Sequence, residues 1–160
     1  MKKLIVALVL VSGAGLAQET DRPVVVISTA GGASAGSATA GGEVGVFNDS
    51  GRLRYGVSAL VTGGSAIWAG ALLGARWSLI ENARFTPYVG VGLGAFSAQR
   101  SGLDLGVQPT ASFEAGVSYW RLFAGARMLL PLSTHTGGVR PHDEAGFGDP
   151  AVLGQVGFRI

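Results

Sequence analysis

The segment FTPYVGVGLGAFSAQR, which runs from Phe85 to Arg100, alternates strictly between two kinds of residue. One side of the extended chain carries aliphatic side chains, at Val89, Val91, Leu93 and Ala95. The other side carries only glycine, at Gly90, Gly92 and Gly94. Glycine is a weak strand former, so three glycines on one face indicate either a phosphate-binding loop or a wall against something crowded.

Similar period-2 segments recur along the chain, and no helical periodicity survives beyond the first residues. Clusters of turn residues separate eight such segments: 24–33, 38–47, 52–62, 67–79, 85–98, 109–119, 122–132 and 150–160. Most have the roughly 9–11 residues that a tilted strand needs to cross a bilayer. The first two are the least determined, because STAGGASAGSATAGG also fits a flexible linker.

The hydropathy of the chain conflicts with a soluble protein. The mean hydropathy is +0.40, yet after residue 17 no apolar run reaches the roughly 18 residues of a membrane-spanning helix. A chain can be apolar without such a helix if every second residue of its strands faces lipid. The sequence therefore predicts an all-β fold, an eight-stranded antiparallel up-and-down transmembrane β-barrel.

The first residues have the three parts of a cleavable signal peptide. Lys2 and Lys3 precede a short apolar run, and Gly15 and Ala17 supply the small residues of a cleavage site. We therefore predict a signal peptide over residues 1–17, which implies export.

The remaining 18–160 are predicted to form one outer-membrane β-barrel domain. Without Lys2 and Lys3 this domain has ten basic and ten acidic residues, a balance that gives no indication of nucleic-acid binding. Cysteine is absent, which excludes disulfides and Cys-ligated metals.

The connections between the predicted strands alternate in length. The segments 48–51, 81–83 and 120–121 are tight, whereas 99–108 and 133–149 are long. Outer-membrane barrels have short periplasmic turns and longer external loops. This order predicts both chain ends in the periplasm and both long loops outside the cell.

The segment TPYVGVGLGAFSA, the short turn before it and the closing alternation Val156, Phe158, Ile160 resemble the small OmpA/OmpX-type outer-membrane β-barrel proteins. The resemblance covers most of the chain after residue 17. It implies a monomer in outer-membrane lipid that is inserted by the barrel-assembly machinery. Such chains commonly end on an aromatic residue, whereas this sequence ends on Ile160, which puts the efficiency of assembly in doubt.

Two enzymatic or cofactor interpretations compete with this one. Gly90, Gly92, Gly94 and Ala95 formally fit a dinucleotide fingerprint, but that fingerprint needs a turn opening a helix, and these glycines fall within a strand. We therefore predict no cofactor.

The long loop 133–149 holds four residues that could ligate zinc or form a catalytic dyad: His135, His142, Asp143 and Glu144. Their spacing matches no motif, so we interpret them as a solvated polar loop and predict no catalytic or metal site.

Charged residues within the strands fall on the face opposite the aliphatic set. A charge facing lipid at the midplane costs about 2–4 kcal/mol for Arg, so these side chains are predicted to point inward. The interior of an eight-stranded barrel is just wide enough to be filled by side chains, which predicts a packed polar core. This predicted lumen charge cluster, structural in role, comprises Glu43, Arg54, Arg76, Glu114, Arg127 and Arg159.

The cluster explains the glycine face of 85–100. Pairing across 81–83 predicts Gly74 opposite Gly90, and Arg76 opposite Tyr88. The glycines would then lie between Arg76 and Glu114, on strands about 9–10 Å apart. We predict that they leave space for these large inward side chains.

A two-residue hairpin at 120–121 predicts Tyr119 opposite Leu122, and therefore Glu114 opposite Arg127. A slip by one residue would turn a charge toward lipid, so the pattern selects this register and predicts an inward ion pair.

These observations favour a non-enzymatic anchor in the envelope, with an external ligand of unknown identity at 99–108 and 133–149. A small-solute, porin-like channel is the alternative, and the inward charges argue against its open lumen. An outer-membrane enzyme and a soluble lipocalin-like barrel are further alternatives. The last would have apolar residues inside, which is the reverse of the pattern here.

Overall fold

The computed structural model describes residues 22–34, 37–64, 67–80, 84–100, 103–132 and 150–160. Eight strands follow one another along the chain: β1 (Arg22–Ser34), β2 (Ser37–Ser50), β3 (Leu53–Gly63), β4 (Ile67–Ser78), β5 (Phe85–Arg100), β6 (Leu103–Tyr119), β7 (Leu122–Pro131) and β8 (Ala151–Arg159). The predicted strand count is confirmed. The glycine-rich segments before and after residues 35–36 are strands and not a linker.

Every strand pairs antiparallel with the next, and β8 pairs with β1, so the sheet closes into a barrel. The predicted fold class is confirmed. Closure leaves no edge strand, which is what a sheet surrounded by lipid requires. Among the described residues, no helix is long and apolar enough to span a membrane.

The barrel has two distinct ends. At one end, named here the tight-turn end, the chain enters β1, leaves β8 and makes the β2–β3 and β6–β7 connections. The first of these is Gly51 and Arg52, with Ser50 paired to Leu53, so the predicted turn at 48–51 begins too early. Gly51 has a φ of +69°, a left-handed conformation that glycine adopts without steric cost.

The β6–β7 connection agrees with its prediction. Tyr119 pairs with Leu122 and Glu114 with Arg127, so the predicted register is confirmed. The connecting residue Trp120 has a φ of +54°, which is rare for a bulky side chain.

The predicted long loop at 99–108 is wrong. β5 continues to Arg100 and β6 begins at Leu103, with a register shift between Ser97 and Gln99. Apolar residues alternate through Leu103, Leu105 and Val107, which is a strand pattern. A positive φ of 91° at Gly106 lets the backbone bend there without ending the pairing. The other long segment, 133–149, lies outside the described residues, as do 1–17 and 81–83.

The register between β4 and β5 differs from the prediction by two residues. Arg76 lies opposite Gly90 rather than Tyr88, and Gly74 lies opposite Gly92. Alternation fixes the face that a side chain takes but not a shift by an even number of residues. The connection sets that shift, and its length in the structure is 79–84 rather than 81–83.

Side chains on the outer surface are apolar and exposed around the barrel. This outer band includes Val44, Val61, Leu73, Val91, Leu93, Phe113, Val117, Val152 and Val156. The buried polar residues point inward, among them Ser28, Glu43, Arg76, Glu114, Arg127 and Gln155. This distribution is the reverse of the one in a water-soluble barrel.

Candidate functional site

Four charged side chains meet inside the barrel and form what we name the interior ion network: Glu43 of β2, Arg76 of β4, Glu114 of β6 and Arg127 of β7. Each is at most 9% exposed. Alternation places all four on the inner face of strands whose other face carries the outer band. The network comprises two carboxylates and two guanidinium groups, so its formal charge is zero.

Glu114 is the centre of the network. Its Oε1 accepts a hydrogen bond from Nε of Arg76. Its Oε2 accepts from Nη2 of Arg127 at 2.7 Å and from Nε2 of Gln155 at 3.1 Å. The predicted inward ion pair between Glu114 and Arg127 is present. Three side chains donate to this one buried carboxylate, and they satisfy an acceptor that would otherwise be costly to bury.

Arg127 joins the two carboxylates. Its Nη1 donates to Oε1 of Glu43 at 2.9 Å, while Nη2 and Nε donate to Glu114. Oγ of Ser28 donates to the other oxygen of Glu43 at 3.4 Å. Glu43 and Glu114 come from strands four apart, so the fork of a single arginine crosses the interior.

Arg76 lies against an aromatic cluster at the tight-turn side of the network. Its guanidinium carbon is 4.8 Å from the ring centroid of Phe47, 5.8 Å from that of Tyr88 and 5.2 Å from that of Phe123. With Val26 these rings form one buried cluster. The rings supply cation–π attraction to a charge that has been removed from water.

The glycine face of β5 provides the space that this arrangement needs. Gly90 lies directly between Arg76 on β4 and Glu114 on β6. A Cβ at Gly90 would lie 2.6 Å from Oε1 and 2.7 Å from Cγ of Glu114. At Gly92 it would lie 2.6 Å from Oγ of Ser112. The glycines therefore leave room for inward side chains of the neighbouring strands, as the sequence predicts.

Two further glycines, on β6 and β7, leave space for the side chain of Tyr88 in the same way. Its hydroxyl oxygen is 2.8 Å from the Cβ position of both Gly116 and Gly125, which face each other across these strands. A side chain at either glycine would displace the ring from the aromatic cluster.

Two members of the predicted lumen charge cluster lie apart from the interior ion network. Arg54 forms an ion pair with Asp49 at 2.5 Å, and Arg159 donates to the backbone carbonyl of Trp120. Arg54 is the second residue of β3 and Arg159 the last of β8, so both lie at the tight-turn end of the barrel. Asp49 falls in the predicted turn 48–51, whereas the structure places it in β2, so this ion pair is not among the predictions.

The predicted packed polar core makes up only part of the interior. A second buried cluster contains Ala30, Leu60, Leu72, Phe96 and Leu153, with Trp68 and Leu129 packed against it. Leu60 pairs with Glu43 and Leu153 with Arg127 across their strands, so this cluster adjoins the ion network. The interior therefore has an ionic middle with an apolar cluster on either side. This apolar cluster is not among the predictions from the sequence, although its leucines have the same parity within their strands as the inward charged residues.

The described part of the chain holds no group of three or more His, Cys, Asp or Glu residues that could bind a metal. His135, His142, Asp143 and Glu144 lie outside it. Within the described residues, the interior ion network is a structural constellation whose carboxylates are occupied by arginine donors.

Comparison with known proteins concerns the fold alone. No protein-family model matches the chain and no curated protein matches its sequence. Among solved structures it is similar to the crystal structure of Neisserial surface protein A (NspA), with a TM-score of 0.65 over 86% of this chain and 95% of that chain. The two sequences are 16% identical. The molecule is thus an eight-stranded barrel similar to that of a surface protein, and membership of the OmpA/OmpX-type family stays a prediction.

Proposed function

We propose that this chain is an integral outer-membrane β-barrel that acts as a non-enzymatic anchor in the cell envelope. The observation that carries the proposal is the inside-out distribution of side chains. The outer band of exposed apolar side chains extends around the barrel, while Glu43, Arg76, Glu114 and Arg127 are buried in its interior. Lipid is the solvent that makes this arrangement stable, because an outward Arg would cost about 2–4 kcal/mol at the bilayer midplane.

The dimensions of the strands support the same proposal. The strands have 9 to 17 residues, and a tilted strand needs roughly 9–11 to cross the hydrocarbon core. The likeness to a surface protein supports a barrel that presents external segments. In this proposal, residues 1–17 direct export and the end opposite the tight turns, where β7 ends and β8 begins, faces outward.

The filled interior favours an anchor over a channel. A continuous water path would have to pass both apolar clusters and the ion network, whose side chains are nearly all buried. An eight-stranded barrel has little space beyond that occupied by its own side chains. We expect negligible steady conductance in planar bilayers, and frequent stable openings would favour the channel instead.

Fractionation tests the proposed function. The protein, expressed with its first 17 residues, should be recovered with outer membranes and should migrate differently on gels before and after heating. Recovery as a soluble periplasmic protein would contradict the proposal. Epitopes inserted at 51–52 and within 133–149 then test the orientation: antibodies should label only the second on intact cells.

A further inference from the structure

An exposed aromatic surface lies at the tight-turn end, where β5 begins beside the β6–β7 connection. Phe85 pairs with Tyr119, and their ring centroids are 4.8 Å apart. Trp120 follows directly. The three side chains are 64%, 44% and 76% exposed, respectively. We name them the aromatic ledge.

Two arginines flank the ledge in sequence and in space. Arg84 immediately precedes Phe85 and is exposed. Arg121 is also exposed, and its guanidinium carbon is 5.2 Å from the ring centroid of Trp120. The ledge thus combines apolar rings with two arginine charges. After residue 17 every basic residue of the chain is arginine and none is lysine.

The backbone conformation of Trp120 is a second, independent indication that the aromatic ledge has a functional role. Its φ of +54° lies in the region that glycine adopts without strain and that bulky residues avoid. The equivalent first position of the β2–β3 turn is Gly51, with a φ of +69°. At the β6–β7 turn the chain instead keeps a large indole that is mostly exposed.

We propose that the aromatic ledge, with Arg84 and Arg121, binds the phosphate groups of anionic phospholipids at the tight-turn end of the barrel. This inference rests on the proposed function, which places that end at a membrane–water interface. Aromatic rings are stable at that depth. Guanidinium groups pair with phosphate through parallel hydrogen bonds. Each Lys or Arg near an anionic leaflet raises the binding constant for that leaflet by about fivefold.

The two arginines contribute unequally. Glu81 belongs to the same connection as Arg84 in the sequence, and its charge opposes that of Arg84. Arg121 has no acidic residue within three positions. We therefore expect Arg121 to carry the larger share of the preference for anionic lipid.

The test compares unfolding in two kinds of vesicle. The chain is refolded from urea into phosphatidylcholine alone, or into phosphatidylcholine mixed with phosphatidylglycerol, at low ionic strength. The ratio of folded to unfolded protein should be higher in the mixed vesicles. Arg84→Gln with Arg121→Gln should remove up to about 25-fold of this gain, about fivefold for each charge, and should lower the ratio in phosphatidylcholine, whose headgroup carries no net charge, by less than it lowers the ratio in the mixed vesicles.

Arg52→Gln is the matched control, because Arg52 is an exposed arginine in the β2–β3 turn at the same end but away from the ledge. It should lose less of the gain than Arg121→Gln. Equal losses, or no gain in the unaltered chain, would overturn the ledge while leaving the membrane barrel intact. Failure to fold in either vesicle would overturn both proposals. Inorganic phosphate should weaken the gain no more than chloride of equal ionic strength, and a specific loss would indicate an ion site rather than a lipid surface.

Discussion

At the scale of single residues, glycines leave the space that the large inward side chains occupy. Gly90 allows Arg76 to reach Glu114 across an intervening strand. The alternation of the sequence predicts that such glycines face a crowded interior. It does not predict which residue each glycine faces, because pairing across the β4–β5 connection depends on a turn that alternation leaves undetermined.

Gly90→Ala should destabilise the barrel by about 1–3 kcal/mol, since the added methyl group meets the carboxyl end of Glu114 at 2.6 Å. Gly154→Ala is the matched control. A Cβ there would contact only the carbonyl oxygen of Gly31 at 3.5 Å on the exposed face, so the substitution should be neutral or slightly stabilising. Urea unfolding in lipid vesicles measures both, and equal effects would contradict a packed interior at Gly90.

Glu114→Gln and Arg127→Met should each cost about 3–5 kcal/mol of unfolding free energy, because each leaves buried charge without its partner. The double variant should cost less than the sum by about 1–3 kcal/mol. Arg76 and Gln155 still bind Glu114 when Arg127 is lost, which limits the coupling.

The ion pair of Arg54 with Asp49 provides the comparison for this double-mutant cycle. Its side chains are 14% and 29% exposed, so the coupling should be at most about 1 kcal/mol. Additive costs of the Glu114 and Arg127 substitutions would show that the two charges are screened from each other, as they would be in water, and would contradict a packed interior.

At the scale of elements, the strands follow from the period of the sequence and the turns follow from single residues. Eight strands and the β6–β7 register could be predicted, since a slip by one residue would turn Glu114 toward the outer face. The start of β6 at Leu103 could not, because Gly106 and the charged residues around it have the composition of a loop. The bend at Gly106 is visible only once the strands are paired.

The β2–β3 hairpin depends on Gly51. Gly51→Ala should destabilise the barrel by about 1 kcal/mol, because φ is +69° there and a Cβ would contact nothing within 4 Å. The cost is therefore one of backbone conformation alone. Gly63→Ala, at the end of β3, also meets nothing within 4 Å and has no positive φ, so it should be neutral. Equal effects of the two substitutions would show that the turn is not fixed as described.

At the scale of the whole molecule, the outer surface of the closed sheet is apolar and its inner surface carries the buried charges, which is the reverse of a barrel in water. The reversal could be predicted from the sequence, because the charged residues of the strands alternate with aliphatic ones and an Arg that faced lipid would be costly. The apolar half of the interior could not be predicted so well. Leu60, Leu72 and Leu153 have the apolar character of outer-band residues, and only their position in the alternation of each strand indicates that they face inward.

Quenching of single tryptophans by lipid tests the central claim most directly. The chain has three tryptophans, so Trp68→Phe with Trp120→Phe leaves Trp77, and Trp77→Phe with Trp120→Phe leaves Trp68. Trp77 is outward and 53% exposed, whereas Trp68 packs against the interior apolar cluster. In vesicles of lipids brominated near the headgroup end of the acyl chain, Trp77 fluorescence should be quenched several-fold more than that of Trp68. Equal quenching, or stronger quenching of Trp68, would contradict a barrel whose outer band faces lipid.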